Sequence, residues 1–203
     1  MKLYKFLPAA KLERILDILI NERFHCSDWR KLNDPMEGYF RYTVEEDAKK
    51  TIDNFLTPVK ENYKVCSFSE TYNEPLLWAH YAEGHKGVVI EIDISNKNRF
   101  LKSVIYFKKH LSFNIKKLHE DGKIKNVAKL ILRCKLKNWE YEREFRLLYK
   151  DAFFNCSEHN VKITRVLMGC RTSDVIQKTL EIICAEKEIR LSRLNNKLEI
   201  KKI

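Results

Sequence analysis

Residues 139–149 read WEYEREFRLLY, and this stretch decides how the rest of the sequence is interpreted. The period of two that strands have places its apolar side chains on one face, at Tyr141, Phe145, Leu147 and Tyr149. The other face carries Glu142, Glu144 and Arg146. Because charged groups are costly to bury unless they pair or meet a polar ligand, this face is predicted to border a cleft. A strand that shows its charges to solvent is the alternative.

Strand and helix patterns alternate on both sides of that stretch. Strand-like patterns cover residues 3–7, 23–27, 65–69, 87–94, 104–107, 162–168, 189–194 and 198–203. Helical spacing covers residues 12–20, 44–62, 75–82 and 172–187. A further helix from residue 124 carries a basic stripe formed by Lys125, Lys129, Arg133 and Lys137. We predict a single mixed α+β domain of seven to nine strands over residues 1–203.

The composition is typical of one compact cytoplasmic domain. The 203 residues are 44% hydrophobic and 11% aromatic, which is enough for one sizeable core. The longest apolar runs are shorter than the roughly 20 residues of a membrane span, and the first residues lack the apolar centre of a signal peptide. Six cysteines occur without a Cys-x-x-Cys pair. Reduced thiols, no structural metal and no membrane association are therefore predicted.

The net charge of +11 is unevenly distributed along the chain. Residues 1–100 hold 15 basic and 16 acidic side chains, whereas residues 101–203 hold 24 basic and 12 acidic ones. A basic second half favours a phosphate-rich partner such as a nucleic acid. The usual glycine-rich phosphate loops, the Gly-x-Ser-x-Gly elbow and the His-Glu-x-x-His helix are all absent from the sequence.

Five pieces of the sequence occur in the order and spacing of a bacterial family. They are Leu3-Tyr4-Lys5, residues 32–38 (LNDPMEG), residues 66–70 (CSFSE), residues 78–88 (WAHYAEGHKGV) and residues 139–146 (WEYEREFR). Together they resemble the family catalogued as domain of unknown function 2971, over roughly residues 3–169. That label carries no settled activity.

A second resemblance, to ADP-ribosyltransferases, adds an activity. Those enzymes place a basic, His or Tyr residue on the first strand, a serine-bearing strand before a helix, and a Glu-x-Glu strand near the far end of the domain. Similar places here hold Tyr4 or Lys5, Ser67 or Ser69, and Glu142-Arg143-Glu144. The resemblance implies a mixed, mainly antiparallel split sheet with flanking helices, and NAD as a substrate. The chain departs from the pattern because Lys5 replaces the usual Arg or His and there is no Ser-Thr-Ser string.

The same resemblance implies a role for each residue of the site. Glu144 stands at the position of the catalytic glutamate, where a carboxylate stabilises positive charge on the ribose as nicotinamide leaves. Glu142 would take a proton from the acceptor. The implied NAD-binding residues are Tyr4, Lys5, Ser67, Ser69, His80, Tyr81 and Arg146. The implied acceptor-binding residues are Asn33, Asp34 and Glu37.

Structural roles are the alternatives for several of these side chains. Arg146 would then form a purely structural ion pair with Glu144. Trp78 and Tyr81, three apart on a helix, would pack in the core, and His80 would be a hydrogen-bonded structural histidine. Ser67 and Ser69 would be ordinary strand serines, and residues 33–37 would simply form a turn.

We therefore expect an enzyme that transfers ADP-ribose from NAD to a nucleic acid or a protein. It would act as a toxin or phage-defence effector and bind a protein partner or antitoxin. The first alternative is a nuclease whose carboxylates converge on a phosphate of DNA or RNA. The second is a non-catalytic module that binds RNA or protein. A magnesium dependence separates the nuclease from NAD chemistry.

Overall fold

The computed structural model of the protein describes residues 1–32, 41–42, 56–108, 112–113 and 120–201. This part of the chain contains fifteen strands and five α-helices, which confirms the predicted α+β class. The strands are β1 (Lys2–Leu7), β2 (Arg23–His25), β3 (Ser27–Asp28), β4 (Arg41–Tyr42), β5 (Lys64–Ser69), β6 (Val88–Asp93), β7 (Leu101–Ser103), β8 (Ile105–Phe107), β9 (Ser112–Phe113), β10 (Cys134–Leu136), β11 (Glu144–Tyr149), β12 (Phe153–Asn155), β13 (Lys162–Met168), β14 (Arg190–Leu194) and β15 (Ile200–Lys201). The α-helices are α1 (Leu12–Asn21), α2 (Thr57–Glu61), α3 (Pro75–Tyr81), α4 (Ile124–Ile131) and α5 (Asp174–Glu186), and short 3-10 helices cover Ala9–Lys11, Trp29–Lys31, Lys137–Glu142 and Ser157–His159.

Nine of these strands form one main sheet. Its order is β15-β14-β13-β6-β1-β5-β11-β7, and β3 pairs with β5 beside this path. Every neighbouring pair in it is antiparallel except β13 and β14. Three separate two-stranded sheets join β8 to β10, β2 to β12 and β4 to β9. The sheet is thus mixed and mainly antiparallel, as predicted.

The main sheet is joined at its middle by one residue pair. β1 pairs with β6 continuously from Lys2 to Leu7, and β5 pairs with β11 continuously from Lys64 to Ser69. Between β1 and β5, however, the register contains only Tyr4 opposite Ser69. The two halves of the sheet therefore diverge on either side of this pair.

Helices cover both faces of the sheet. Strand residues alternate between the two faces, so each face contributes side chains to its own cluster. On one face, Ile15 and Ile18 of α1 and Leu180 of α5 are buried in the largest hydrophobic cluster. On the other face, Trp78 of α3 packs in a second cluster that contains Tyr4. We call these the α1 face and the α3 face.

The deciding stretch at residues 139–149 is a strand only in its second half, so that prediction is corrected. Lys137–Glu142 forms a 3-10 helix, and Arg143 then adopts a left-handed conformation with φ 43° and ψ 51°. Few residues other than glycine adopt this conformation, and a period-of-two pattern gives no sign of it. The strand begins at Glu144. Tyr141 and Glu142 thus do not belong to it.

Other predicted elements are confirmed with adjusted ends. The helix from residue 124 ends at Ile131, so Arg133 and Lys137 do not continue its basic stripe. In α1, Ile20 is 49% exposed and Ile18 is buried. In the helix predicted at 44–62, residues 44–55 lie outside the described residues. The last part of that prediction corresponds to α2. The strand count exceeds the prediction because strands of two or three residues are too short for periodicity to reveal.

Among the described residues, no helix has both the length and the apolar composition of a membrane span.

Candidate active site

A cavity of about 330 Å³ lies where β1 and β5 diverge. Strand residues Tyr4 to Leu7 and Ser67 to Ser69 line it together with α3 and the 3-10 helix Lys137–Glu142. A volume of this size is at the lower end of the range of about 300–1,000 Å³ typical of small-molecule sites. Because the lining includes side chains from both faces of the sheet, the cavity extends through the gap between the two strands.

The cavity brings together most of the residues that the sequence singled out. Its lining contains Tyr4, Lys5, Ser67, Ser69, His80, Tyr81, Glu142 and Glu144. Arg146 is fully buried and is not among the lining residues. Asn33, Asp34 and Glu37 lie outside the described residues.

Glu142 and Glu144 converge although they do not share a strand face. Glu142 ends the 3-10 helix, Glu144 begins β11, and the left-handed Arg143 between them turns the chain. Both side chains meet the Nζ atom of Lys135, which lies 2.6 Å from Glu142 Oε2 and 3.3 Å from Glu144 Oε2. Lys135 belongs to β10, outside the main sheet, and its side chain is 3% exposed. One buried cation therefore holds the two carboxylates at the same point.

Arg146 completes this cluster, because two nitrogens of its guanidinium bind the two carboxylate oxygens of Glu144. Its Nε donates to Oε1 at 2.7 Å and its Nη2 donates to Oε2 at 2.9 Å. Its Nη1 donates to the carbonyl oxygen of Leu132 at 2.9 Å. Burial works to raise the pKa of Glu144, but Arg146 and Lys135 lower it to about 2. Glu144 is therefore a fixed, ionised carboxylate. Arg146 binds this carboxylate and does not line the cavity.

Glu142 has the opposite electrostatic environment. Burial raises its pKa above the ordinary value, with Lys135 opposing this shift and the charge of Glu144 adding to it. The hydroxyl of Tyr81 donates to Glu142 Oε1 at 2.7 Å, and Ser69 Oγ donates to the Glu142 carbonyl at 2.8 Å. Two carboxylates whose pKa values move in opposite directions are a common arrangement for acid and base roles.

The two candidate first-strand residues lie on different faces. Tyr4 is opposite Ser69 and packs with Trp78, on the α3 face. Lys5 points to the α1 face, where its Nζ donates to the Ser67 carbonyl at 2.9 Å and lies 5.6 Å from the centre of the Phe68 ring. Tyr4 is thus on the same face as the carboxylates, whereas Lys5 lines the cavity from the α1 face.

The helix α3 supplies two lining residues with different surroundings. Tyr81 is half-buried and hydrogen-bonded to Glu142, whereas His80 is exposed at the edge of the cavity. Trp78 is fully buried, and its Nε1 donates to the Tyr72 carbonyl at 2.7 Å, so its structural role is confirmed.

Sequence reasoning missed the residues that give the cavity most of its positive charge. Lys135 is central to the carboxylate cluster, and Lys11, Arg14 and Lys31 also line the cavity. Arg14 is on the polar side of α1, where the helical pattern gives no reason to single it out. Lys135 lies between Cys134 and Leu136 in a strand of three residues, which the pattern did not predict.

No group of three or more His, Cys, Asp or Glu side chains in the described ranges is arranged to hold a metal ion. The carboxylates that converge here are instead held by Lys135 and Arg146.

Comparison with known protein families gives a match. Residues 77–147 match the model of the family described as protein of unknown function (DUF2971). This is the family that the sequence pieces resemble. The match is shorter than the expected 3–169, but it contains Tyr81, Lys135 and the three charged residues Glu142, Glu144 and Arg146. No curated protein and no solved structure matches the chain.

The arrangement combines an ionised carboxylate, a carboxylate with a raised pKa and a tyrosine hydroxyl beside a partly apolar cavity. Such a set is able to stabilise a developing positive charge and to accept a proton.

Proposed function

We propose that the chain is an ADP-ribosyltransferase-like enzyme that transfers ADP-ribose from NAD to a nucleic-acid or protein acceptor. The observation that carries this proposal is the pair Glu142 and Glu144, joined by Lys135 at a cavity between the first strand and the serine-bearing strand. A split sheet of the ADP-ribosyltransferase kind is part of the proposal. The single register pair between β1 and β5 supports it.

The proposed reaction breaks the bond between the ribose C1′ atom and the nicotinamide nitrogen. The bonding electrons leave with nicotinamide, and the ribose carbon develops positive charge. Glu144, which stays ionised because its pKa is about 2, would stabilise that charge. The acceptor nucleophile then bonds to C1′ and gives its proton to Glu142, whose raised pKa suits a base.

The remaining lining residues would bind NAD. Tyr4, Ser67 and Ser69 are close to the carboxylates on the α3 face, and Tyr81 orients Glu142 through its hydroxyl. Lys5 and the exposed His80 would contact the ends of the ligand. The acceptor roles of Asn33, Asp34 and Glu37, and a role as a toxin or phage-defence effector with a protein partner or antitoxin, belong to the same proposal.

The decisive experiment incubates the purified protein with NAD and with separate pools of DNA, RNA and protein. Nicotinamide release and transfer of labelled ADP-ribose are measured for the wild type and for Glu142→Gln and Glu144→Gln. Each variant is expected to lose about 100-fold or more of the rate, because each removes a charge that acts on the reacting atoms.

Glu140→Gln is the matched control, because Glu140 lies in the same 3-10 helix, is exposed and does not line the cavity. It is expected to keep the wild-type rate. Absence of nicotinamide release from correctly folded protein with all three pools would contradict the proposal. Magnesium-dependent cleavage of DNA or RNA would favour the nuclease alternative instead.

A further inference from the structure

Four basic side chains line the cavity besides Lys135, which holds the carboxylates. Lys5 comes from β1, Lys11 and Arg14 from the start of α1, and Lys31 from the 3-10 helix Trp29–Lys31. Lys5 points to the α1 face, which α1 covers, so Lys5, Lys11 and Arg14 lie across the sheet from Glu142. We call these four residues the basic end of the cavity.

The basic end lacks ion pairs in the described ranges of the chain. None of its four cations forms an ion pair with a described carboxylate. Among the described residues, Glu142 and Glu144 are the only carboxylates in the cavity lining, and both already contact Lys135. None of the four cations is therefore paired with a described carboxylate of the lining.

The hydrogen bonds of these cations also leave donors unused. Arg14 Nη2 donates to the His25 carbonyl at 3.2 Å, and Lys5 Nζ donates to the Ser67 carbonyl at 2.9 Å. The buried Nε of Arg14 has no hydrogen-bond partner among the described residues. A buried donor without a partner is unfavourable, and an anionic ligand would relieve it.

A neighbouring histidine responds to the same positive field. Burial lowers the pKa of His25, and the charges of Arg14, Lys5 and Lys31 lower it further, while Asp17 opposes this shift. Three of the four cations thus act together on one nearby group, as they would act on a ligand.

We propose that the basic end is a diphosphate site, which takes the diphosphate of a nucleotide whose sugar extends through the gap toward Glu142. Arginine and lysine together suit phosphate oxygens, because the guanidinium binds two oxygens side by side and the ammonium acts as a point charge. The inference deepens the proposed function and rests on the same cavity, since NAD contains such a diphosphate. Phosphate binding is nevertheless measurable without any turnover of NAD.

The test is calorimetric binding of inorganic pyrophosphate and of ADP-ribose to the full chain. The double variant Lys11→Ala/Arg14→Ala is expected to weaken both affinities by about tenfold or more, because it removes two charge-assisted contacts. The control Lys125→Ala/Lys178→Ala removes the same charge from exposed positions outside the cavity. It is expected to bind like the wild type. A thermal melt of each variant checks that it is folded.

Each outcome decides between the claims. Absence of pyrophosphate and ADP-ribose binding, or equal weakening in the two double variants, overturns the diphosphate site. Binding of single-stranded DNA without binding of pyrophosphate also overturns it and favours a nucleic-acid surface. Pyrophosphate binding that is lost in Lys11→Ala/Arg14→Ala, in a protein that releases no nicotinamide, supports the site while the proposed NAD reaction fails.

Discussion

Lys135 connects the two carboxylates of the candidate site from a strand that lies outside the main sheet. Its Nζ also lies 4.7 Å from the centre of the Trp139 ring, so an aromatic face adds to its surroundings. Two ionised carboxylates this close together repel each other strongly when they are buried. The position of Lys135 between them reduces that repulsion and fixes their geometry.

Replacement of Lys135 by Met should therefore destabilise the fold. The substitution leaves two buried carboxylates without their shared cation, and breaking a buried pair from one side costs about 3–5 kcal/mol. Lys137→Met is the control, because its ion pair with Glu140 is exposed and is worth at most about 1 kcal/mol. Urea unfolding at pH 7 measures both. Equal free energies of unfolding for the two variants would show that Lys135 does not have this role.

At the scale of elements, the cavity depends on how β6 begins against the end of β1. The backbone of Gly87, just before β6, accepts hydrogen bonds from Gly169 N at 3.1 Å and from Thr172 Oγ1 at 3.1 Å. A Cβ atom at Gly87 would lie 2.1 Å from the Leu7 carbonyl oxygen and 3.0 Å from Pro8 Cα. Leu7 and Pro8 both line the cavity. Close backbone approach at this glycine thus sets one wall of the site.

Gly87→Ala should force these backbones apart and cost about 3 kcal/mol, the upper end of the usual overpacking range. Gly122→Ala provides a comparison, because Gly122 has φ +66° and no atom within 4 Å of the added Cβ. Its expected cost is about 1 kcal/mol, from the left-handed backbone alone. Thermal and urea unfolding of the two variants measure the difference. If Gly122→Ala were the more destabilising, the close approach at Gly87 would not limit packing.

The elements show where sequence patterns succeed and where they fail. The helix α5 follows its hydrophobic period, because Ile176, Leu180, Ile183 and Cys184 all pack in one cluster. The turn at Arg143 has no such signal, since its left-handed backbone depends on tertiary contacts, such as the hydrogen bond that Glu70 N donates to the Arg143 carbonyl. The sequence therefore identified Glu142 and Glu144, but gave the wrong reason for their meeting.

At the scale of the whole molecule, the position of charge along the sequence differs from its position in space. The second half of the chain is the basic half, yet the basic end of the cavity consists of Lys5, Lys11, Arg14 and Lys31 from the first half. Counting charges along the chain does not reveal this, because only folding brings β1, α1 and residue 31 together. Lys135 is the sole contribution of the second half to the basic residues of the described lining.

The stability of the whole molecule should depend on pH through Glu144. Its pKa is lowered from the ordinary 4.5 to about 2, so this carboxylate stabilises the fold above pH 4.5 and loses that contribution as the pH falls toward 2. A difference of this size corresponds to about 3 kcal/mol. Glu142, whose pKa is raised, contributes with the opposite sign, and its contribution is lost as the pH rises through its folded-state pKa.

Urea unfolding between pH 2 and pH 7 checks this dependence. Glu144→Gln should show a shallower loss of stability below pH 4.5 than the wild type, whereas Glu140→Gln should follow the wild type because Glu140 is exposed. If Glu144→Gln lost stability below pH 4.5 as steeply as the wild type, other carboxylates would cause the loss.

The single pair Tyr4–Ser69 between the two halves of the sheet has a consequence for main-chain protons. In most sheets, amides of the central strands exchange most slowly with heavy water, because neighbours bind them on both sides. Here β1 and β5 are central strands that face a cavity between this pair and the pairing of β3 with β5. Their inward-facing amides should exchange rapidly, while the amides paired to β6 and β11 remain protected. A bound ligand that fills the gap would then appear as slowed exchange in the middle of the protein rather than at its edges.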